Sequence, residues 1–163
     1  MLAYSYNKVY SLNWYDPMSN QEELLKLDNQ LCFALYSTHL ALNQYYRKLL
    51  QPHGITYPQY LVMLILWEQD QLTVSEIGQR IFLESSTLTP LLKRLESLGL
   101  IERKRSAEDE RRVLISLTAE GHALKQAVMP IPEQILTAIQ CAPDQVSQLR
   151  EELNRLRAQL KEQ

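Results

Sequence analysis

The sequence predicts a mainly α-helical fold that carries one small β-hairpin, and three observations lead there. Leucine recurs at spacings of three, four and seven, as in Leu24, Leu27, Leu31, Leu35, Leu42 and Leu49, the period of a helix with one apolar face. Residues 73–99 hold two short helical patterns joined by a tight connection. Residues 100–117 then alternate apolar and polar around a charged tip, as a hairpin does.

Taken in order, residues 1–19 hold Tyr4, Tyr6, Tyr10, Tyr15 and Trp14 without a clear period and are expected to be an N-terminal extension. A helical pattern runs from Asn20 to Leu50 and is broken by Pro52, His53 and Gly54. Pro58 suits the start of the next helix, which continues through the apolar residues 60–67. Thr73 and Glu76 have the spacing of a capping box, in which each side chain bonds the other's backbone N–H. A short helix follows, with Val74, Ile77 and Ile81 on one face. After a connection at 82–85 comes a second helix with Leu88, Leu91, Leu92, Leu95 and Leu98 on its apolar face and Gly99 just beyond its end. A helix from about Thr118 must then accommodate Pro130 and Pro132. Interior prolines cost about 3 kcal/mol each, so a kink is expected there. Pro143 opens a last helix in which Val146, Leu149, Leu153, Leu156 and Leu160 form a seam.

Two short helices followed by a basic hairpin make the plan of a winged helix-turn-helix, with the hairpin as the wing. Apolar helices flank this unit on both sides, and pairing with a second copy is a natural way to bury their stripes. The expected organisation is a 1–19 extension and a 20–163 domain. Within it, 58–117 is the winged unit, and 20–57 and 118–163 are the helices that form a homodimer.

The chain has 163 residues, 45% of them apolar and 22% charged, as in a globular protein with one core. No apolar stretch is long enough for a membrane span and no secretory signal is visible, so a cytoplasmic protein is expected. The net charge of −2 argues by itself against nucleic acid. Residues 80–112, however, carry eight Lys or Arg against six Asp or Glu, a local +2, and a near field of that sign attracts phosphate. Two distant cysteines and three scattered histidines offer no zinc-ligand spacing, and four glycines form no phosphate loop. No cofactor and no metal are expected.

Certain motifs resemble a known group. Residues 54–68, which include Tyr57-Pro-Gln-Tyr60, and residues 27–36, Leu-Asp-Asn-Gln-Leu-Cys-Phe-Ala-Leu-Tyr, resemble the organic-hydroperoxide-sensing (OhrR) branch of the MarR family. The stretch 105–121, with Asp109-Glu-Arg-Arg-Val and Leu117-Thr-Ala-Glu-Gly, resembles the wing of MarR proteins in general. The resemblance covers about residues 20–163 and implies a dimeric repressor of double-stranded DNA with a palindromic operator.

A helix that reads base edges needs short polar residues at its start and basic residues to hold phosphates. Ser85, Ser86, Thr87 and Thr89 supply the first, and Lys93 and Arg94 the second. Ser85 or Ser86 is also expected to cap the helix. In the wing, Asp109 and Arg111 stand two apart and point the same way, so that Asp109 orients the guanidinium. The resemblance implies that Arg111 enters the minor groove, with Arg112 beside it.

Read from the residues alone, Cys32 is a buried, inert thiol among Leu31, Phe33 and Leu35, with the start of its helix too far upstream for the dipole to matter. The resemblance implies instead that Cys32 is the redox sensor. It implies that Tyr46 and Tyr57 of the other subunit donate hydrogen bonds to its sulfur, with Tyr36 one turn away on the same face. It also implies that Cys141 resolves the oxidised sulfur as an intersubunit disulfide, the alternative being a free Cys141 and capture by a small thiol. His39 shares the face of Cys32 and is expected to be a structural, hydrogen-bonded histidine. The expected function is a repressor released when an organic hydroperoxide oxidises Cys32. Two alternatives keep the fold: a repressor released by a small phenolic ligand, and a thiol sensor of hypochlorite or quinones. A thiol peroxidase has no support from a Cys-x-x-Cys pair or a second catalytic constellation, so no enzyme is expected.

Overall fold

The computed structural model describes residues 21–105 and 112–161. The expected extension at 1–19 and the wing-tip residues Asp109 and Arg111 lie outside them. The chain divides into two units, Met1–Tyr45 and Tyr46–Gln163.

In the first unit, the predicted single helix over 20–50 is interrupted. A short α1 (Gln21–Leu24) is followed by a 3-10 turn at Leu27–Asn29, and the long α2 (Leu31–Leu50) begins only after Gln30, whose backbone is extended. The turn-favouring pair Asp28-Asn29 lies at the break, and the Asn29 amide donates to the Glu23 carbonyl at 2.9 Å. Leu24, Leu25, Leu27, Leu31, Leu35 and Leu40 are all exposed.

The second unit holds the core. α3 (Tyr57–Glu68) starts at Thr56, whose backbone N–H and hydroxyl both donate to the Gln59 amide oxygen at 2.8 and 3.0 Å. Its residues Tyr60, Val62, Met63 and Leu66 are buried. β1 (Leu72–Thr73) leads into α4 (Val74–Ile81), and the predicted capping box is present: Thr73 N–H and Oγ1–H donate to Glu76 at 2.7 and 2.6 Å, and Glu76 N–H returns to Thr73 Oγ1 at 3.2 Å. α5 (Ser85–Ser97) buries Leu88, Leu92 and Leu95 completely. Its end is the predicted one. Gly99 takes φ 71°, its N–H bonds the Glu96 carbonyl at 2.9 Å, and Leu100 N–H reaches back to Leu95 at 3.1 Å.

β2 (Ile101–Arg105) and β3 (Val113–Leu117) form the expected antiparallel hairpin, with Ile101 opposite Leu117 and Arg105 opposite Val113. The sheet has a third strand that the sequence did not announce: β1 pairs with the far side of β3, Leu72 opposite Ile115. Asp70 supports this pairing by accepting from Leu117 N–H at 2.9 Å and from Gln71 N–H at 2.8 Å.

The expected kinked helix after Thr118 is two helices, α6 (Ala119–Val128) and α7 (Ile131–Ile139). Pro130 caps α7 and Pro132 sits in its first turn, where a missing N–H costs nothing. Two prolines so close end one helix and begin another. α8 (Pro143–Lys161) completes the chain, with Leu149, Leu153 and Leu160 exposed.

Candidate functional site

The helix-turn-helix is set by a close approach at its turn. Phe82 takes the left-handed conformation (φ 59°, ψ 38°), and Leu83 N–H bonds the Gly78 carbonyl at 3.0 Å. A Cβ on Gly78 would lie 2.8 Å from the Leu83 carbonyl oxygen, so only glycine fits there without a shift. The exposed Phe82 ring carries two cations from α8: Arg157 at 4.2 Å and Lys161 at 4.1 Å from its centroid.

α5 presents the predicted polar residues at its start. Ser85, Ser86 and Thr87 are exposed in its first turn. The expectation that Ser85 or Ser86 caps the helix is corrected: the cap is Glu84, with extended backbone and no side-chain capping bond. The serine side chains are therefore not used for capping. Thr89 is half-buried and its hydroxyl donates to the Ser85 carbonyl at 2.7 Å. Lys93 and Arg94 are exposed one to two turns further on. Arg112 is exposed just before β3. Its charge helps to hold the Glu76 carboxyl below its ordinary value, after the larger effects of the Thr73 side-chain and backbone hydrogen bonds.

Sequence reasoning passed over Arg103. It projects from β2 towards α5, where its guanidinium meets Glu96 at 3.5 Å, while its Nε is buried without a partner. An arginine in an alternating strand gave no signal of this, because the contact depends on how the hairpin sits against α5.

Cys32 is the second residue of α2, and it is exposed. This corrects two expectations. The thiol is not buried in this chain, and the helix start lies beside it rather than far upstream. The free N–H groups of a first turn and the positive end of the helix dipole interact favourably with negative charge. Tyr36, one turn on, is exposed as well. His39 Nε2 pairs with the Asn43 side-chain amide at 2.8 Å.

The second unit brings Tyr46 and Tyr57 together. Their rings stack with centroids 4.1 Å apart, and Tyr60 lies 6.1 Å from Tyr46. Tyr60 and Trp67, which sequence reading placed only in an apolar helix, extend this row: their centroids are 6.3 Å apart, and the Trp67 indole donates to the Gly121 carbonyl at 2.9 Å. Burial, then the neighbouring Tyr57 and Tyr60, push the Tyr46 phenol up to about 12. Burial raises Tyr57 too. Both phenols therefore stay protonated as O–H donors. Cys141 is exposed between α7 and α8, next to Gln140 in the left-handed conformation, and its thiol lies 3.5 Å from the Ile139 carbonyl.

No group of three or more His, Cys, Asp or Glu suited to a metal ion occurs among the described residues. No helix among them is long and apolar enough to cross a membrane.

Residues 44–128 match the family described as transcriptional regulator SarA/Rot. The organic hydroperoxide resistance transcriptional regulator of Bacillus subtilis is 48% identical over 136 residues, which is 83% of this chain and 92% of that protein. Among solved structures, reduced AbfR bound to DNA superposes with a TM-score of 0.72 at 39% identity, covering 86% of this chain and 99% of the other. AbfR with its disulfide formed superposes less closely, at 0.58 and 41% identity over 83% and 95% of the two chains. By sequence and by architecture alike, this chain belongs to the MarR/SarA-type family of winged-helix transcriptional regulators, which are not enzymes.

Proposed function

We propose that the protein is a cytoplasmic, dimeric repressor that leaves its DNA when an organic hydroperoxide oxidises Cys32. The observation that carries this reading is a free, exposed cysteine in the first turn of α2, in a chain nearly half identical to a hydroperoxide resistance regulator. In the reduced dimer each α5 occupies a major groove, with Ser85, Ser86, Thr87 and Thr89 towards the bases and Lys93 and Arg94 towards phosphate. Asp109, Arg111 and Arg112 belong to the wing and its minor-groove contact. The helices of 20–57 and 118–163 join the two copies, which covers the exposed leucines of α1, α2 and α8.

The Cys32 thiolate attacks the outer peroxide oxygen, the O–O bond breaks, and the alkoxide leaves as an alcohol after taking a proton. The sulfur is left as a sulfenic acid. Tyr46 and Tyr57 of the partner subunit and Tyr36 donate hydrogen bonds to the sulfur before oxidation. Cys141 of the partner subunit then condenses with the sulfenic acid and releases water. The disulfide shifts the paired helices and moves the two winged units out of register with the half-sites.

Gel-shift titration of wild type, Cys32→Ser and Cys141→Ser with and without cumene hydroperoxide tests this. Cys32→Ser should stay on DNA after treatment, and Cys141→Ser should release without an intersubunit disulfide. Release of Cys32→Ser by peroxide would defeat the reading.

One observation favours a second reading, release by a small apolar ligand. Tyr60, Leu64, Trp67, Val128, Met129 and Pro132 line a largely apolar groove of about 230 Å³ between α3, α6 and the start of α7. Peroxide-independent release by a phenol, unaffected by Cys32→Ser, would select it.

A further inference from the structure

α5 breaks a helix rule in its interior. Pro90 stands inside it, more than a turn from either end, and leaves the Ser86 carbonyl without the N–H that position 90 would otherwise supply. The neighbouring carbonyl of Ser85 is taken by the Thr89 hydroxyl at 2.7 Å. Nothing in the core asks for this proline: Pro90 is exposed, whereas Leu88, Leu92 and Leu95 are each 0% exposed. A locally unfavourable residue on an exposed face, retained without a packing reason, points to work done at that face.

The face is defined by the buried one. At about 100° per residue, Ser86, Pro90, Lys93 and Ser97 form the ridge opposite Leu88, Leu92 and Leu95. All four are exposed. If α5 lies in the major groove, as the preceding section proposes and as this inference requires, that ridge goes deepest. Among its residues Pro90 alone presents neither a side-chain polar atom nor a backbone donor. It is fitted only for an apolar feature of the groove floor, and in duplex DNA that feature is the C5 methyl group of thymine.

We propose that Pro90 is a specificity-determining residue whose ring packs on a thymine methyl in each operator half-site. Ser86, one turn before it, faces the bases beside that methyl, and Lys93, one turn after it, reaches phosphate.

The test uses the reduced full-length protein and a duplex that it selects from a random-sequence library. Each thymine of that duplex is replaced singly by deoxyuridine, which removes the methyl group and nothing else. Wild type should lose affinity roughly fourfold at one thymine per half-site, the effect of one methyl group returned to water. Pro90→Ala, which keeps only the Cβ of the ring, should discriminate thymine from uracil less than wild type at that position and keep wild-type ratios elsewhere. Its melting temperature should equal or exceed wild type, because alanine suits a helix interior, so lost discrimination would not reflect unfolding. An unchanged thymine-to-uracil ratio in Pro90→Ala, or a wild type indifferent to every substitution, would overturn the assignment. Failure of wild type to select any duplex would overturn the DNA-reading role as well.

Discussion

Gly121 shows how a single position can fix the junction between wing and α6. A Cβ there would fall 2.0 Å from the Leu100 carbonyl oxygen, inside the backbone itself. The same loop is tied by Thr118, whose hydroxyl donates to the Gly99 carbonyl at 2.6 Å and accepts from Gly121 N–H at 3.0 Å. Gly121→Ala is expected to cost about 3 kcal/mol or more, because the obstacle is main chain and not a movable side chain; urea unfolding would measure it. Glu76 gives a pH-dependent prediction. Its carboxyl is held below the ordinary 4.5, first by the Thr73 hydroxyl and then by the Thr73 backbone N–H, with slight burial opposing and Arg112 assisting. A depressed carboxyl contributes stability above the unfolded pKa and loses it as pH falls through the folded one. The melting temperature of wild type minus that of Glu76→Gln should therefore be constant above about pH 5, as follows from the unfolded carboxylate range. It should shrink steadily under acid. A difference independent of pH would show that the charge at Glu76 is immaterial.

Among the elements, the hairpin and α5 meet through Arg103 and Glu96, and the geometry predicts little stability from that ion pair. The contact is long at 3.5 Å, Glu96 is exposed, and the Nε of Arg103 lacks a partner. Arg103→Met should change the unfolding free energy by less than about 1 kcal/mol, since a long pair with an exposed carboxylate contributes little and the methionine retains the aliphatic packing. A loss well beyond that in chemical denaturation would mean that the guanidinium is essential to the wing. Elements governed by neighbouring residues were legible in the sequence. The Thr73–Glu76 box, the Gly99 terminus, the leucine face of α5 and the hairpin all rest on local signals. What escaped reading depends on partners far along the chain or on competition between signals. β1 has two residues, and only its pairing with β3 makes it a strand. The leucine period from Leu24 to Leu35 continues across the turn at Leu27–Asn29 and hides it, which misplaced the start of α2 by about ten residues and so misjudged the setting of Cys32. At Pro130 and Pro132 the apolar pattern again outlasted the helix itself.

For the whole molecule, the exposed leucines of α8 set the expectation for assembly. Leu149, Leu153 and Leu160 are 57%, 39% and 69% exposed, a stripe that one copy leaves to water. Sedimentation should report a dimer at micromolar concentration, and Leu153→Glu should shift it towards monomer by placing a charge in the seam; a wild-type monomer would remove the basis for two coupled reading heads. Cys32, Tyr46 and Tyr57 were named from the sequence, but their distribution was not: Tyr46 and Tyr57 lie in one unit and Cys32 in the other. The ring row beside Trp67 has an optical consequence. The chain has two tryptophans, Trp14 and Trp67. With Trp14 replaced by Phe, light absorbed by Tyr46, Tyr57 and Tyr60 would pass by resonance transfer to one indole, whose hydrogen bond to Gly121 makes its emission colour sensitive to any parting of α3 from α6. The protein thus carries its own fluorescent gauge, readable in a cuvette while peroxide is added, without an attached dye.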